Sequence, residues 1–264
     1  MKGLKSLALV LVFLFVLAPF AVSQDRPSRY LQVMTFTVRA GAVSQFEETL
    51  TKVVEAANKV GVAQTWAAGQ IELGGPGNTY VLAFPFEKWG DRDAWSRFPE
   101  YLNEAYGDKE AANILRVGNA AILSVDTVVL RLLEELSTGL EGAMEMPQFL
   151  FIRRSEVRRE MVPEYELFLA KVKEAREQVG DGRRSIRRVS VVGQTNIYSS
   201  ATPFNKWSER DFGTTFMEMM SKAHGEEEAA QLLDTVRRSV KSSKTFVLRH
   251  RPDLSRAKAA AATD

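Results

Sequence analysis

The side chains of this sequence best suited to chemistry come in two matching sets. Pro85-Phe86-Glu87-Lys88-Trp89 recurs 118 positions later as Pro203-Phe204-Asn205-Lys206-Trp207, and Arg92-Asp93 recurs as Arg210-Asp211. Such a group could line the mouth of a cavity. A tryptophan (Trp89, Trp207) would stack on a planar ligand, a lysine (Lys88, Lys206) and an arginine (Arg92, Arg210) would neutralise an anion, and an aspartate would act as base. Tyr80 with Asn78, and Tyr198 with Asn196, keep the same offset and could add polar groups converging on a bound small molecule. A structural use competes. Ser208 with Asp211, and Gly90 with Asp93, have the spacing of a helix N-cap and its third residue. The aspartates would then be first-turn acids favoured by the helix dipole, and the tryptophans wedges between helix and sheet. Residues kept in both copies of a repeat serve the shared fold first, so the structural use is the expected one.

Around these motifs, further matches fill in a whole repeated unit. Gly107 with Glu110-Ala111-Ala112 matches Gly225 with Glu228-Ala229-Ala230, and Phe46, Leu50, Val53, Ala56 and Gly61 match Tyr165, Leu169, Val172, Ala175 and Gly180 at an offset of 119. The repeats span 29–136 and 147–254, with 137–146 as linker and 255–264 as a tail expected to fray. In the first copy, residues 30–39 read as a strand. Residues 44–60 read as an amphipathic helix closed by Gly61. Residues 64–73 and 78–84 read as a hairpin, 91–106 and 108–122 as helices, and 123–133 as a final strand. Each repeat is thus β-α-β-β-α-α-β, the ferredoxin-like order once the two helices are counted as one layer.

The first strand is apolar on both faces, with Leu31 and Val33 on one and Met34, Phe36 and Val38 on the other; Phe149 to Ile152 repeat the pattern. Helices cover one face, so the sister repeat is expected to cover the other. Two such sheets paired within one chain resemble the dimeric α+β barrel superfamily, which includes antibiotic-biosynthesis-type monooxygenases and haem-degrading oxygenases. The resemblance rests on element order and duplication, covers both repeats, and implies an α+β fold with an intramolecular barrel. It implies no single activity. In its haem-binding members a histidine of the helical layer is the axial ligand, which makes His224 the candidate haem or metal ligand here. His224 also directly precedes Gly225 and reads equally as a C-terminal cation on a helix. No cofactor is otherwise expected.

The repeats differ in one conspicuous way. Arg183, Arg184, Arg187 and Arg188 make the second strand of the second repeat basic on both faces, where residues 65–70 of the first carry no charge. An anion site is one reading; an exposed edge guarded by charge is the expected one. Aromatic residues are not interleaved with these arginines, which argues against single-stranded nucleic acid.

Composition narrows the function classes. The 264 residues hold 35 Lys+Arg against 33 Asp+Glu, two histidines and no cysteine. Disulfides, thiolate nucleophiles, Cys-based zinc sites and iron–sulfur clusters are excluded. Lys2 and Lys5, the apolar run 7–20 and Ala21-Val22-Ser23 read as an export signal spanning 1–23, cleaved before Gln24. The run is shorter than the roughly 20 residues a stable membrane span needs. The chain from Gln24 onward has 33 bases and 33 acids, so no net charge draws it to nucleic acid or an anionic membrane. The sequence therefore predicts an exported protein, periplasmic or secreted, whose two repeats are each other's partner. Its expected function is non-catalytic small-ligand binding or interaction; a cofactor-independent or haem-linked monooxygenase-like enzyme with a pocket in one repeat is the alternative.

Overall fold

The computed structural model describes residues 26–142, 146–211 and 213–256. The apolar segment read as an export signal lies outside them. The first half runs β1 (Tyr30–Val38), α1 (Val43–Val60), β2 (Ala67–Leu73), β3 (Thr79–Phe86), α2 (Phe98–Tyr106), α3 (Asp108–Ala121) and β4 (Ile122–Leu132). The second runs β5 (Phe149–Val157), α4 (Val162–Gln178), β6 (Ile186–Val192), β7 (Ile197–Phe204), α5 (Phe216–His224), α6 (Glu226–Ser239) and β8 (Val240–His250) in the same order. Gly61 ends α1 in the left-handed region at φ 75°, where its N–H donates to the Ala57 carbonyl.

All eight strands pair antiparallel and close into one barrel, in the order β1-β3-β2-β8-β5-β7-β6-β4. Two seams join the halves: β2 with β8, and β4 with β6. Closure accounts for the doubly apolar first strand. Met34, Phe36 and Val38 pack with α1 residues Phe46, Leu50 and Val53, so alternation turns Leu31 and Val33 into the barrel interior. The sheets meet edge to edge around a shared interior rather than as two separate stacked layers.

Each half also finishes the core of the other. Leu133 and Leu136, which come after β4, pack with Tyr165, Leu169 and Tyr198 of the second half, while Leu254, which comes after β8, packs in the first. The Trp66 indole N–H donates to the Leu254 carbonyl at 3.0 Å. Backbone bridges Trp66–Arg256 and Thr138–Ser185 repeat this arrangement at both ends. Thr138, at the start of the stretch expected to be a linker, and Ser255 and Arg256, at the start of the tail expected to fray, are held by these exchanges.

The helical layer starts later than the sequence pattern suggests. Trp89–Ala94 is a short 3-10 turn, Trp95 is extended, and α2 begins at Phe98. Pro99 sits in the first turn of α2; proline is tolerated there but would break a helix already running from residue 91. Among the described residues no helix is long and apolar enough to cross a membrane.

Candidate functional site

The repeated motif does not build a cavity mouth. Trp89 and Trp207 lie at the barrel rim, about half exposed, against Tyr30 and Phe86 in one half and Phe149 and Phe204 in the other, with ring centroids 5.1–5.4 Å apart. The caps differ from the expected ones. Lys88 and Lys206 occupy the N-cap positions, and Asp91 and Glu209, rather than Asp93 and Asp211, accept their backbone N–H groups. Both lysines are exposed. Asn78 and Asn196 shape hairpins: the Asn78 side-chain amide donates to the Val38 carbonyl, the Val157 N–H donates to the Asn196 carbonyl, and Asn196 takes φ 57°. Tyr80 and Tyr198 are buried, and their hydroxyls donate to Glu47 and Glu166 respectively. Burial, reinforced by the acceptor carboxylate, pushes both phenols up, so they are neutral donors and not bases at ordinary pH.

The structure brings a different set together, on the helix-facing side of the second half. The common barrel register pairs each position there with one in the first half. On β3 and β2, the first half has Leu82, Phe84 and Ala68, all buried. Their counterparts are Ser200, Thr202 and Arg187. Likewise Ala57 of α1 becomes Arg176 of α4, Trp66 becomes Ser185 and Trp95 becomes Gly213. In the first half, Phe84 meets Trp66, Trp95 and Phe98 at 5.7, 5.8 and 6.4 Å, and the aromatic cluster fills the space under the helices. In the second half Ser200 and Thr202 are half-buried, and Phe216 on α5 is 43% exposed.

Arg176, Arg183, Arg187 and Arg210 all belong to this side of the second half. Arg210 stacks on Phe151 at 4.0 Å, whereas its counterpart Arg92 lies over Trp95 at 5.2 Å. Asp181 gives both carboxylate oxygens to Arg183 at 2.5 and 2.6 Å, and stands 3.8 Å from the Arg176 Nε, too far for a hydrogen bond. Arg187 is buried; its Nη1 donates to the carbonyls of Leu136 and Leu169 at 2.7 and 2.6 Å. Its Nε, and the Nε and Nη1 of Arg176, have no hydrogen-bond partner. Burial, then the positive charge of Arg176, pushes Arg187 down to about 10. Arg176 is lowered by burial and by Arg183 and Arg210, with Asp181 opposing. Arg188 lies on the other face of β6 and donates to the Ser28 carbonyl. The basic strand is therefore no charged edge: β6 is paired on both sides, and Arg187 and Arg188 are both buried.

His224 ends α5 in the helical layer over this sheet. His224 faces away from it: its Nε2 lies 2.9 Å from the Lys171 carbonyl of α4, and the ring borders an open groove lined by Glu226, Glu227 and Glu228. The residues present do not fit a haem held through His224. His250, the other histidine, contacts the Ser255 hydroxyl at the end of β8. Among the described residues no cluster of His, Asp and Glu could hold a metal ion.

No protein-family model matches the chain, and no curated protein sequence is similar to it. Solved structures with its fold are nonetheless found. An anthrone oxidase-like protein is 15% identical over 90% of this chain and 98% of its own, with a TM-score of 0.51. A mutant chlorite dismutase from Candidatus Nitrospira defluvii, in complex with cyanide, is 8% identical over 85% of this chain and 91% of its own, at 0.51. A protein assigned as a monooxygenase from Fusobacterium nucleatum is 9% identical over 85% and 93%, at 0.50. At these identities the likeness is one of fold. It also corrects the functional expectation. The structures this barrel resembles carry enzyme names, which overturns the reading of a non-catalytic ligand-binding or interaction protein.

The residues on this side are inconspicuous in the sequence because the repeated motifs mark positions where the two halves agree. The informative signal lay where they disagree: Ala57 against Arg176, Ala68 against Arg187, Leu82 against Ser200, Phe84 against Thr202.

Proposed function

We propose that this chain is an exported, cofactor-independent oxygenase-type enzyme, built by tandem duplication of a ferredoxin-like unit, with its reaction on the helix-facing side of the second half. One observation carries the reading. Trp66, Leu82 and Phe84 of the first half are matched by Ser185, Ser200 and Thr202 in the second, and Ala57 and Ala68 by Arg176 and Arg187, which puts cations and hydrogen-bond donors on the side where Arg210 stacks on Phe151. Oxygenation without a cofactor needs a substrate that reduces O2 itself, which means stabilising the substrate as an enolate or phenolate. Preorganised cations in a poorly hydrated site do this. Arg176 and Arg187 supply the positive potential, Ser200 and Thr202 the hydroxyl donors, and Phe151 an aromatic wall. The fold likeness to an anthrone oxidase-like protein and to a monooxygenase agrees with this chemistry. For a methylene flanked by aromatic rings, one O2 is consumed, two C–H bonds break, a C=O bond forms and one water leaves. The proton lost in forming the anion returns in that water.

Oxygen uptake with anthrone-type and naphthol-type substrates tests the proposal. The expected result is one O2 per ketone, label from ¹⁸O2 in the product, no loss on treatment with EDTA, and a fall in kcat of about 100-fold or more in Arg176→Met. Turnover that needs added hemin, or absence of uptake across the panel, overturns it.

A further inference from the structure

We infer that the free edge of β4 is a self-recognition surface, which pairs antiparallel with the same edge in a second copy of this chain. β4 is longer than the seam it makes. It pairs with β1 from Ile122 to Arg131 but with β6 only from Val129 to Leu132. Residues 123–127 are exposed, and among the described residues no strand pairs with them on the side away from β1. The β6–β7 turn reaches no farther than Thr127: a Cβ on Gly193 would stand 3.2 Å from the Thr127 carbonyl. β1 and β4 keep one register from Tyr30 to Thr37; the Leu132 N–H donates toward β1, to the Arg29 carbonyl, and the Leu133 N–H toward β6, to the Arg187 carbonyl. Backbone direction alternates along a strand, so Val125, an even number of residues before Leu133, also turns its N–H and C=O away from β1. The edge is apolar as well. Leu123 and Val125 are 54% and 48% exposed, and Val191 and Val192 at the adjoining end of β6 are 43% and 49% exposed.

The matching edge of the other half points to the occupant. There the counterparts of Leu123, Val125, Val191 and Val192 are Lys241, Ser243, Glu72 and Leu73, Lys244 follows, and Glu72 is held by Arg249 at 2.6 Å. Lysines on an edge repel a second copy of it, which is one way sheet proteins keep edges apart. β4 carries no lysine at all. In an antiparallel register centred on Ser124, Leu123 of each copy stands opposite Val125 of the other, and Asp126 stands opposite Ile122 rather than the second Asp126. One strand thus supplies both sides of a two-fold contact that closes at two chains. Pairing with β8 of another copy would instead set these apolar residues among Lys241 and Lys244 and leave the contacts open-ended. Neither end of the described chain emerges beside the patch. The Ser28 carbonyl accepts from Arg188, which stands opposite Leu132, and Arg256 is bridged to Trp66, ahead of β2. By the strand registers, both places lie toward the end of the barrel away from Ile122.

The test is the mass of the full chain in solution, so its outcome is separate from whether O2 is consumed. A short strand pair is a small interface, so association should follow concentration, passing from one chain to two between about 1 and about 200 µM in sedimentation equilibrium. Val125→Lys places a charge on the edge. Val125→Pro removes the outward N–H and leaves the β1 ladder intact, a position where an edge strand tolerates proline. Each should weaken dimerisation by about 10-fold or more. Leu73→Lys, which removes a similarly exposed apolar residue at the other seam, should leave it unchanged. A single chain throughout the range, an equal loss in Leu73→Lys, or growth beyond two chains overturns the inference. So does association that survives either substitution at Val125, as it would if the apolar run 7–20 or another surface drove it. Far-ultraviolet circular dichroism confirms folding; Val125→Lys changes only an exposed side chain, so it decides the matter if Val125→Pro does not fold.

Discussion

The two halves of this barrel share element order, strand register and the exchange of C-terminal segments, yet treat the space between helices and sheet in opposite ways. The first half fills it. Trp66, Phe84, Trp95, Phe98 and Phe86 form a continuous aromatic cluster, and Tyr80 with Glu47 is tied down by Arg251 from beyond β8. The second half has Ser200 and Thr202 where the first has Leu82 and Phe84, with Arg176, Arg187 and Arg210 on the same side. Leu133 stands at the counterpart of Arg251, so the Tyr198–Glu166 pair lacks that arginine. A barrel of two similar halves can divide labour in this way: one half accumulates packing energy, and the other gives up stability for groups that packing alone would reject.

Substitutions at matched positions are the sharpest way to break this comparison. Introducing the second half's residue into the first, Ala68→Arg, places a charge where the helices leave no room; we expect a loss of more than about 4 kcal/mol or failure to fold, read by urea unfolding. Trp66→Ala should cost about 3–5 kcal/mol from the cavity and the unpaired Leu254 carbonyl, whereas Ser185→Ala at the matched site should cost less than about 1.5 kcal/mol. Similar losses at both sites would mean that the halves are equally packed.

The reverse exchange points the other way. Arg187→Met should hold or raise stability, by up to about 1 kcal/mol, while removing activity, because it relieves an uncompensated buried cation. A large loss of stability would mark Arg187 as a structural strut.

The smallest effect expected is in acid. The hydrogen bond and charge of Arg251 hold the Glu47 carboxyl below its usual range, with burial opposing. Because the folded value is depressed, its stabilisation is full above the ordinary carboxylate pKa of about 4.3 and drains away as pH falls through the lower folded value. Unfolding free energy measured from pH 6 to pH 2 should therefore fall less steeply in Glu47→Gln than in the parent protein. Parallel curves would remove the latch from the account of the first half.

Much of the architecture was legible in the sequence because it rests on local rules. Gly61 terminating α1, the apolar stripe of Phe46, Leu50 and Val53, and the doubly apolar β1 all come from periodicity and glycine chemistry, and the structure bears each of them out. The caps were misread because Lys88 and Lys206 reach N-cap positions through backbone geometry that their side chains do not advertise. The candidate site was hardly legible at all. Trp89, Trp207, Lys88, Lys206, Asn78 and Asn196 drew attention by recurring, and recurrence in both copies marks what the shared fold needs.

The sequence by itself determined the helices, the strands and their alternation of faces, since those depend on neighbours three, four or two residues away. Only the tertiary structure decided that Arg187 is buried beside Arg176 and that Arg188 points to the opposite face. It also decided that Phe84 lies among Trp66, Trp95 and Phe98 while Thr202 does not meet their like. The reason is distance along the chain. Whether a guanidinium meets water, a carboxylate or another guanidinium is fixed by elements folded onto it from elsewhere, and barrel closure brings those elements together.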